Sequence, residues 1–271
     1  EINHSYVIKV YDDQKQLERN LKISEVLSDC DIPVAKTVIT KNKENYVAYQ
    51  NTYFLMSKKL PGSNISNCKD KSTAWKMGCA IARLHTAFMK CEKEIEFWDN
   101  SLLIEMKGWV RETLANNEWK ILSEEEYAKT VELLESVYEH LPKQLIHRDV
   151  HFGNFLFFDG SFSGYIDFDL SQRNIRIFDI CYFLTGLLAE ETEASLTKTE
   201  WIEIVKSAIA GYESMILLLK EEKGAIPCVM ACIEILCGAY FININDTKHA
   251  HDASQVFRFI QNYERDIKRA I

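Results

Sequence analysis

Residues 145–170, LIHRDVHFGNFLFFDGSFSGYIDFDL, restrict this chain more than any other stretch. His147-Arg148-Asp149 is followed by Asn154, which gives the spacing H-R-D-x-x-x-x-N. Phosphoryl transfer uses these residue types in this order. A carboxylate takes the proton of the attacking hydroxyl, and a side-chain oxygen shortly after it holds a magnesium ion. Phe155–Phe158 then form an apolar strand, and Asp159-Gly160 is a turn signal. The return strand is expected to begin at Tyr165-Ile166, so that residues 165–168 pair with Phe155–Phe158. Such a hairpin carries Asp167 back beside Asn154. One carboxylate and one amide oxygen then converge, a hard-oxygen pair suited to Mg²⁺.

Each piece has a plainer reading. The tripeptide HRD occurs by chance, and Asp and Asn in loops are ordinarily turn formers. Asp159 reads as only that. The joint pattern is more specific: HRD, Asn at the right offset, two apolar strands with a tight turn, and Asp at the end of the second. It assigns chemistry to Asp149, Asn154 and Asp167. For His147 two readings stand side by side, a part in the chemistry or a brace for the loop.

At these residues the chain resembles the aminoglycoside phosphotransferase and choline kinase group of small-molecule kinases. The resemblance rests on HRDVHFGNFLF, on YIDFD and on the downstream IRIFDICYFL. It implies an α+β, bilobal, protein-kinase-like fold. A small β-rich N-terminal lobe would occupy residues 1–57 and bind nucleotide. A larger helical lobe over residues 58–271 would carry the catalytic loop and the substrate-binding helices. By the same resemblance Asp179 matches an acidic residue that braces the core of the large lobe. Asp169 stands where the DFG motif of protein kinases has Gly, and no APE segment follows.

Residues 6–11 alternate as a strand, and Lys9 within it resembles the lysine that binds the α- and β-phosphates. A solvent-facing Lys on a half-buried strand is the alternative. The family places two strands and a phosphate-covering loop ahead of this point, so the chain is either a fragment or a variant with a reduced N-terminal lobe. Residues 14–28 read as a helix, where family members place a Glu to pair with the lysine. Ungapped alignment puts Asn20 there, and Glu18 and Glu25 point elsewhere at 100° per residue. That puts the Lys9 ion pair in question. Strands are expected over 34–39, 46–49 and 52–57. The segment from Ser57 to Gly62 resembles the hinge between kinase lobes, where backbone groups read adenine. The carbonyl of Ser57 and the amide of Lys59 are the candidates by that resemblance; an ordinary strand-to-helix connection is the alternative.

Beyond Gly62 the chain turns helical. Residues 74–88 carry an apolar stripe in which His85 reads as a hydrogen-bonded core residue. Ser123-x-x-Glu126 is a capping box that opens a helix to Glu139. Further helices are expected over 199–219, 226–242 and 253–270, with Pro227 in a first turn. Trp201 and Tyr212 read as core before they read as cleft lining. Glu190, Glu191 and Glu193 either face a cationic substrate or form a solvated loop.

Composition narrows the function classes. A net charge of −8 argues against a nucleic-acid partner. The 47% hydrophobic content supports a sizeable core. Eight Cys without zinc-ligand spacing, and no signal-peptide pattern, suggest reduced thiols and a cytoplasmic protein. Cys228, Cys232 and Cys237 read as core. The apolar run 225–242 approaches membrane-spanning length, but Glu234 interrupts it and basic flanks are lacking, so a buried helix is expected.

The favoured expectation is an ATP- and Mg²⁺-dependent phosphotransferase acting on a small-molecule hydroxyl, an aminoglycoside or another amino-alcohol. Asp149 is the catalytic candidate, Asn154 and Asp167 the metal ligands, and Lys9, Ser57 and Lys59 the nucleotide contacts. Two further readings stay open. His147, Asp149 and His151, with Asp167, would make a divalent-metal site in a hydrolase. Asn20 and the reduced N-terminal lobe would suit a kinase-like binding protein.

Overall fold

The computed structural model describes residues 3–65, 70–94, 96–97, 101–189 and 196–271; Glu190, Glu191 and Glu193 lie outside them. β1 (Tyr6–Tyr11) leads into α1 (Gln14–Asp29), whose first turn is capped by Asp13 accepting from the amide of Lys15 at 2.8 Å. Leu17, Asn20, Ile23 and Leu27 recur at helical spacing and form its buried face. β2 (Val47–Tyr49) and β3 (Thr52–Lys58) follow, and β3 lies between β1 and β2 in an antiparallel sheet.

The expected strand over 34–39 does not form a ladder. The segment crosses from one sheet to another, so successive residues meet different partners. Val34 bridges Tyr165, while Thr37 bridges Ser57. The amide of Tyr165 donates to Pro33 O at 3.0 Å, and that of Val38 to Met56 O at 2.8 Å.

β3 hands the chain to Gly62, whose φ of 106° suits glycine. A Cβ there would lie 2.5 Å from the carbonyl oxygen of Phe157. Ser63 then pairs with Phe157 through two backbone hydrogen bonds, at 3.0 and 2.9 Å. This close approach locks the connection onto the hairpin that carries Asp167.

The remainder is mostly helical: α2 (Lys71–Glu94), α3 (Leu102–Glu105), a π-turn (Met106–Val110), α4 (Arg111–Asn116) and α5 (Glu124–Tyr138). The Ser123–Glu126 capping box forms as expected. β4 (Lys143–Ile146) pairs with β7 (Gln172–Ile175), and β5 (Phe155–Phe158) with β6 (Ser161–Tyr165). The return strand therefore starts four residues earlier than expected, with Phe158 opposite Ser161. A two-residue turn joins directly facing residues, and Asp159 and Gly160, with φ of 49° and 67°, make that turn. Residues 166–168 leave the sheet.

α6 (Ile177–Ala189), α7 (Lys198–Glu213), α8 (Lys220–Asn243) and α9 (Thr247–Ala270) complete the chain. α7 ends at Glu213 rather than at 219. α8 begins at Lys220, because Glu222 accepts from the amide of Leu219 at 2.9 Å and binds Arg176 at 2.6 and 2.5 Å. Pro227 is thus inside the helix and not in its first turn; its missing N–H removes the i+4 donor to the Lys223 carbonyl. Among the described residues α8 alone is long and apolar enough to cross a membrane, and 78% of its most apolar window is buried in the protein. α2 and α7 cross backbone to backbone where Gly78 faces the Ala208 carbonyl and Gly211 faces that of Trp75. His85, Trp201 and Tyr212 are all core residues.

Candidate active site

The loop between β4 and β5 is fixed from below by Asp179, at the start of α6. Its Oδ2 accepts from the amide of His147 at 2.8 Å, and its Oδ1 from the amide of Arg148 at 2.7 Å. His85 Nε2 lies 2.8 Å from the same Oδ2, and His85 Nδ1 lies 2.9 Å from the Tyr212 hydroxyl. Asp179 and His85 are fully buried. Both loop amides therefore end on a charged acceptor away from water, where such bonds are strong. Arg148 has φ 70°, rare for a bulky residue, and its guanidinium holds both carboxylate oxygens of Glu105 at 2.6 and 2.7 Å. Asn64 covers the loop from the other side, with its Nδ2 on the carbonyls of Phe152 and Gly153 at 2.9 and 2.6 Å.

His147 braces this loop. The network assigns its proton to Nε2, which donates to Ile166 O at 3.1 Å, while Nδ1 accepts from the Asp149 amide at 3.4 Å. Burial holds its pKa below the ordinary histidine value. His151 Nδ1 accepts from Gly153 N at 2.9 Å. The alternative hydrolase reading gains no support, because both His147 nitrogens are engaged in the interior. Among the described residues no three His, Cys, Asp or Glu side chains group as metal ligands.

Asp149 receives three side chains. Asn154 Nδ2 donates to its Oδ2 at 2.8 Å and to its carbonyl at 2.9 Å. The Tyr182 hydroxyl donates to Oδ1 at 3.2 Å, and His151 Nε2 lies 3.5 Å from Oδ2. Burial opposes its charge, but His151 and Asn154 outweigh that and hold the carboxyl below the ordinary range. Burial and the Asp149 charge push the Tyr182 hydroxyl up, so it remains a donor.

Asn154 and Asp167 meet across the backbone, where the amide of Ile166 donates to Asn154 O at 3.1 Å. Asp167 has φ 64° and an exposed carboxylate. Lys9 Nζ lies 2.7 Å from Asp167 Oδ1 and 2.6 Å from Asp169 Oδ2. Burial works against this ammonium, yet its hydrogen bonds to the two carboxylates hold its pKa above the ordinary value. Arg19 also acts electrostatically on Asp169. The Asn154 amide nitrogen is engaged by Asp149, which leaves its carbonyl oxygen as that side chain's donor. An exposed carboxylate and an amide carbonyl are hard-oxygen ligands of the kind a divalent cation takes.

Lys9, Asn20, Ser57, Lys59, Tyr165 and Asp167 all line one cavity of about 470 Å³, within the range of small-molecule sites. A larger hollow of about 550 Å³ lies behind α1, lined by Glu18, Lys22 and Tyr46, and holds none of the predicted site residues; volume does not locate the chemistry. At the hinge-like segment the structure corrects the sequence reading. The amide of Lys59 donates to Ser5 O at 2.9 Å, because the β1–β3 pairing runs on past Lys58. It is not open to a ligand. Ser57 faces Val7 in the same ladder.

The structure also adds residues. Tyr182 lies one helical turn after Asp179, and that i, i+3 spacing was a readable signal. Asp169 was visible only as a departure from Gly. Glu105 and Asn64 carry no local signal, since their partners lie 43 and 88 residues away.

The profile of the phosphotransferase enzyme family matches residues 1–219. The fold matches a microcompartment-associated aminopropanol kinase with a TM-score of 0.72 and 18% identity, covering 100% of this chain and 89% of that one. It matches an amicoumacin kinase in complex with AMP-PNP and Ca²⁺ with a TM-score of 0.70 and 18% identity, covering 96% and 81%. A homoserine kinase from Phenylobacterium zucineum (strain HLK1) is 33% identical over 87 residues. That match spans 32% of this chain and 25% of the relative's length.

Proposed function

Because the chain belongs to the phosphotransferase enzyme family, we propose that it moves the γ-phosphoryl group of ATP to a hydroxyl of a small amino-alcohol. The observation that carries this is a chain of contacts: Lys9 Nζ on Asp167 Oδ1, the amide next to Asp167, that of Ile166, on the Asn154 carbonyl, and Asn154 Nδ2 on Asp149 Oδ2. In this reading the small lobe runs over 1–57 and the large lobe over 58–271. The nucleotide lies in the 470 Å³ cavity, its base against the wall formed by Ser57, Lys58 and Lys59 and its phosphates toward Lys9.

Asn154 Oδ1 and Asp167 would hold Mg²⁺, which supplies charge neutralisation at the transferring phosphates. Asp149 orients the acceptor hydroxyl and takes up its proton. A carboxylate held at low pKa is a weak base, so it accepts the proton late, once the oxygen has begun to bond to phosphorus. Tyr182 and Asn154 fix the direction of its lone pairs. Lys9 steadies the phosphates, and positioning with charge stabilisation supplies most of the rate.

The acceptor class draws on relatives named for aminopropanol and homoserine; aminoglycosides are a second group within the same chemistry. Use of ATP together with reduced cysteines suits the cytoplasm. ADP release is to be measured with Mg-ATP across a panel of ethanolamine, aminopropanol, choline, homoserine, aminoglycosides and amicoumacin. Release above background with at least one acceptor is expected. No release with any of them, together with no binding of Mg-AMP-PNP, would end this reading.

A further inference from the structure

Lys9 has two carboxylates within 2.7 Å, and α1 supplies neither of them. Asn20, an α1 residue that reaches the Asp169 carboxylate, is 5% exposed. Its Nδ2 donates to Asp169 Oδ1 and, at 3.2 Å, to the Tyr11 hydroxyl. The glutamates on the same helix are turned away. Glu18 accepts from Gln14 at 2.8 Å and from Tyr46 at 3.2 Å, and Glu25 binds Lys22 at 3.0 Å. We propose that Asp169 is the positioning residue of Lys9, and that Asn20 sets the Asp169 carboxylate for that task.

Asp167 is the exposed carboxylate, and the reading above gives it to a metal ion, on which this inference rests. A cation on Asp167 would compete with Lys9 for that carboxylate, whose Oδ1 the ammonium already holds. Asp169 does not share that conflict: its Oδ1 is taken by Asn20 and its Oδ2 by Lys9. Each oxygen has one donor, Asn20 on Oδ1 and Lys9 on Oδ2, so Asp169 is set to hold the ammonium. A glutamate at position 20 would bring a second negative charge against Asp169, whereas an amide brings a donor. Asn20 and Asp169 thus form a matched pair, with the negative charge on the β6–β7 connection rather than on the helix. The cost is visible, since Asn20 Oδ1 is buried with no hydrogen-bond partner among the described residues.

The test exchanges the two residues. Affinity for Mg-AMP-PNP is read by calorimetry, and kcat and acceptor KM by ADP release. Asp169→Asn should weaken Mg-AMP-PNP binding by about tenfold, the lower end of what a charge-assisted hydrogen bond contributes, with acceptor KM unchanged. Asn20→Glu alone should also weaken it. The exchange variant, Asn20→Glu with Asp169→Asn, should recover most of the loss. In it the carboxylate introduced on α1 can accept both from Lys9 and from the amide introduced on the β6–β7 connection. An exchange variant no better than the worse single variant would overturn the proposal, as would unchanged affinity in Asp169→Asn. A second measurement needs no nucleotide: melting temperatures of Lys9→Met, Asp169→Asn and the two combined. Losses that are less than additive are expected for a contacting pair, and strictly additive losses would overturn it. A wild-type chain that binds no Mg-AMP-PNP would fail the proposed function, while this cycle still decides the pairing.

Discussion

The carboxylate of Asp179 lies 2.8 Å from the backbone amide of His147, a contact made across 32 residues of sequence. Through it the start of α6 sets the height and direction of the loop that carries Asp149. Removing that carboxylate strands the buried amide of His147, the half-buried amide of Arg148 and the ring of His85. Asp179→Ala should lower stability by about 3–5 kcal/mol, the cost of breaking a buried charged network from one side. Urea unfolding checks this, and a midpoint within error of wild type would show that the loop is held by other contacts.

Asp149→Asn keeps the size of the side chain and removes the base. Turnover should fall by about 10²–10⁴-fold in a variant that still folds, with a lowered melting temperature because the neutral amide loses the charge that His151 and Asn154 hold. Steady-state kinetics with an established acceptor decide it; near-normal kcat in a folded variant removes Asp149 from the chemistry.

Asp167→Ala should have a different signature. Wild-type affinity for AMP-PNP should depend on Mg²⁺ and drop on addition of EDTA, whereas the variant should bind weakly and respond to neither. If calorimetry gives the variant the wild-type magnesium dependence, the metal is held elsewhere.

Glu234, in α8, is 3% exposed, and burial raises its carboxyl to about 7, against a smaller opposing hydrogen bond from Thr185. The folded protein therefore binds this proton more tightly than the unfolded chain. Its contribution is fully present below about pH 4.5, the unfolded value, and is lost as pH rises to about 7. The loss amounts to about 3 kcal/mol. Glu234→Gln should remove this slope and be more stable than wild type above pH 7. Equal pH dependence of wild type and variant in urea unfolding from pH 4.5 to 8 would contradict it.

Gly78 and Gly186 make a contrasting pair. A Cβ at Gly78 would collide with the Ala208 carbonyl, whereas one at Gly186 meets nothing within 4 Å. Gly78→Ala should destabilise by about 1–3 kcal/mol through forced separation of α2 and α7. Gly186→Ala should stabilise by up to about 1 kcal/mol through helix propensity. Thermal unfolding of both variants is the check, and equal shifts would contradict the close crossing.

Most of the site that could be read in advance lies on short-range geometry. The H-R-D-x-x-x-x-N spacing, the Asp159-Gly160 turn and the presence of a hairpin behind it depend on neighbours within a few residues. The same is true of the α1 register that turns Asn20 inward and Glu18 and Glu25 outward, because 100° per residue is a property of any α-helix. What the tertiary structure decided involves partners with no local signal. The hairpin's starting residue is not among these, since the two-residue Asp159-Gly160 turn sets Phe158 opposite Ser161 locally. Residues 34–39 failed as a strand because two different sheets claimed them. The Lys59 amide was taken by Ser5 because the β1–β3 ladder ran further than the hydrophobic pattern. The join of Lys9 to Asp169, across 160 positions, exists only once the sheet closes over the hairpin. Such contacts arise from burying a common core, and no periodicity in the chain records which distant residues that burial brings together.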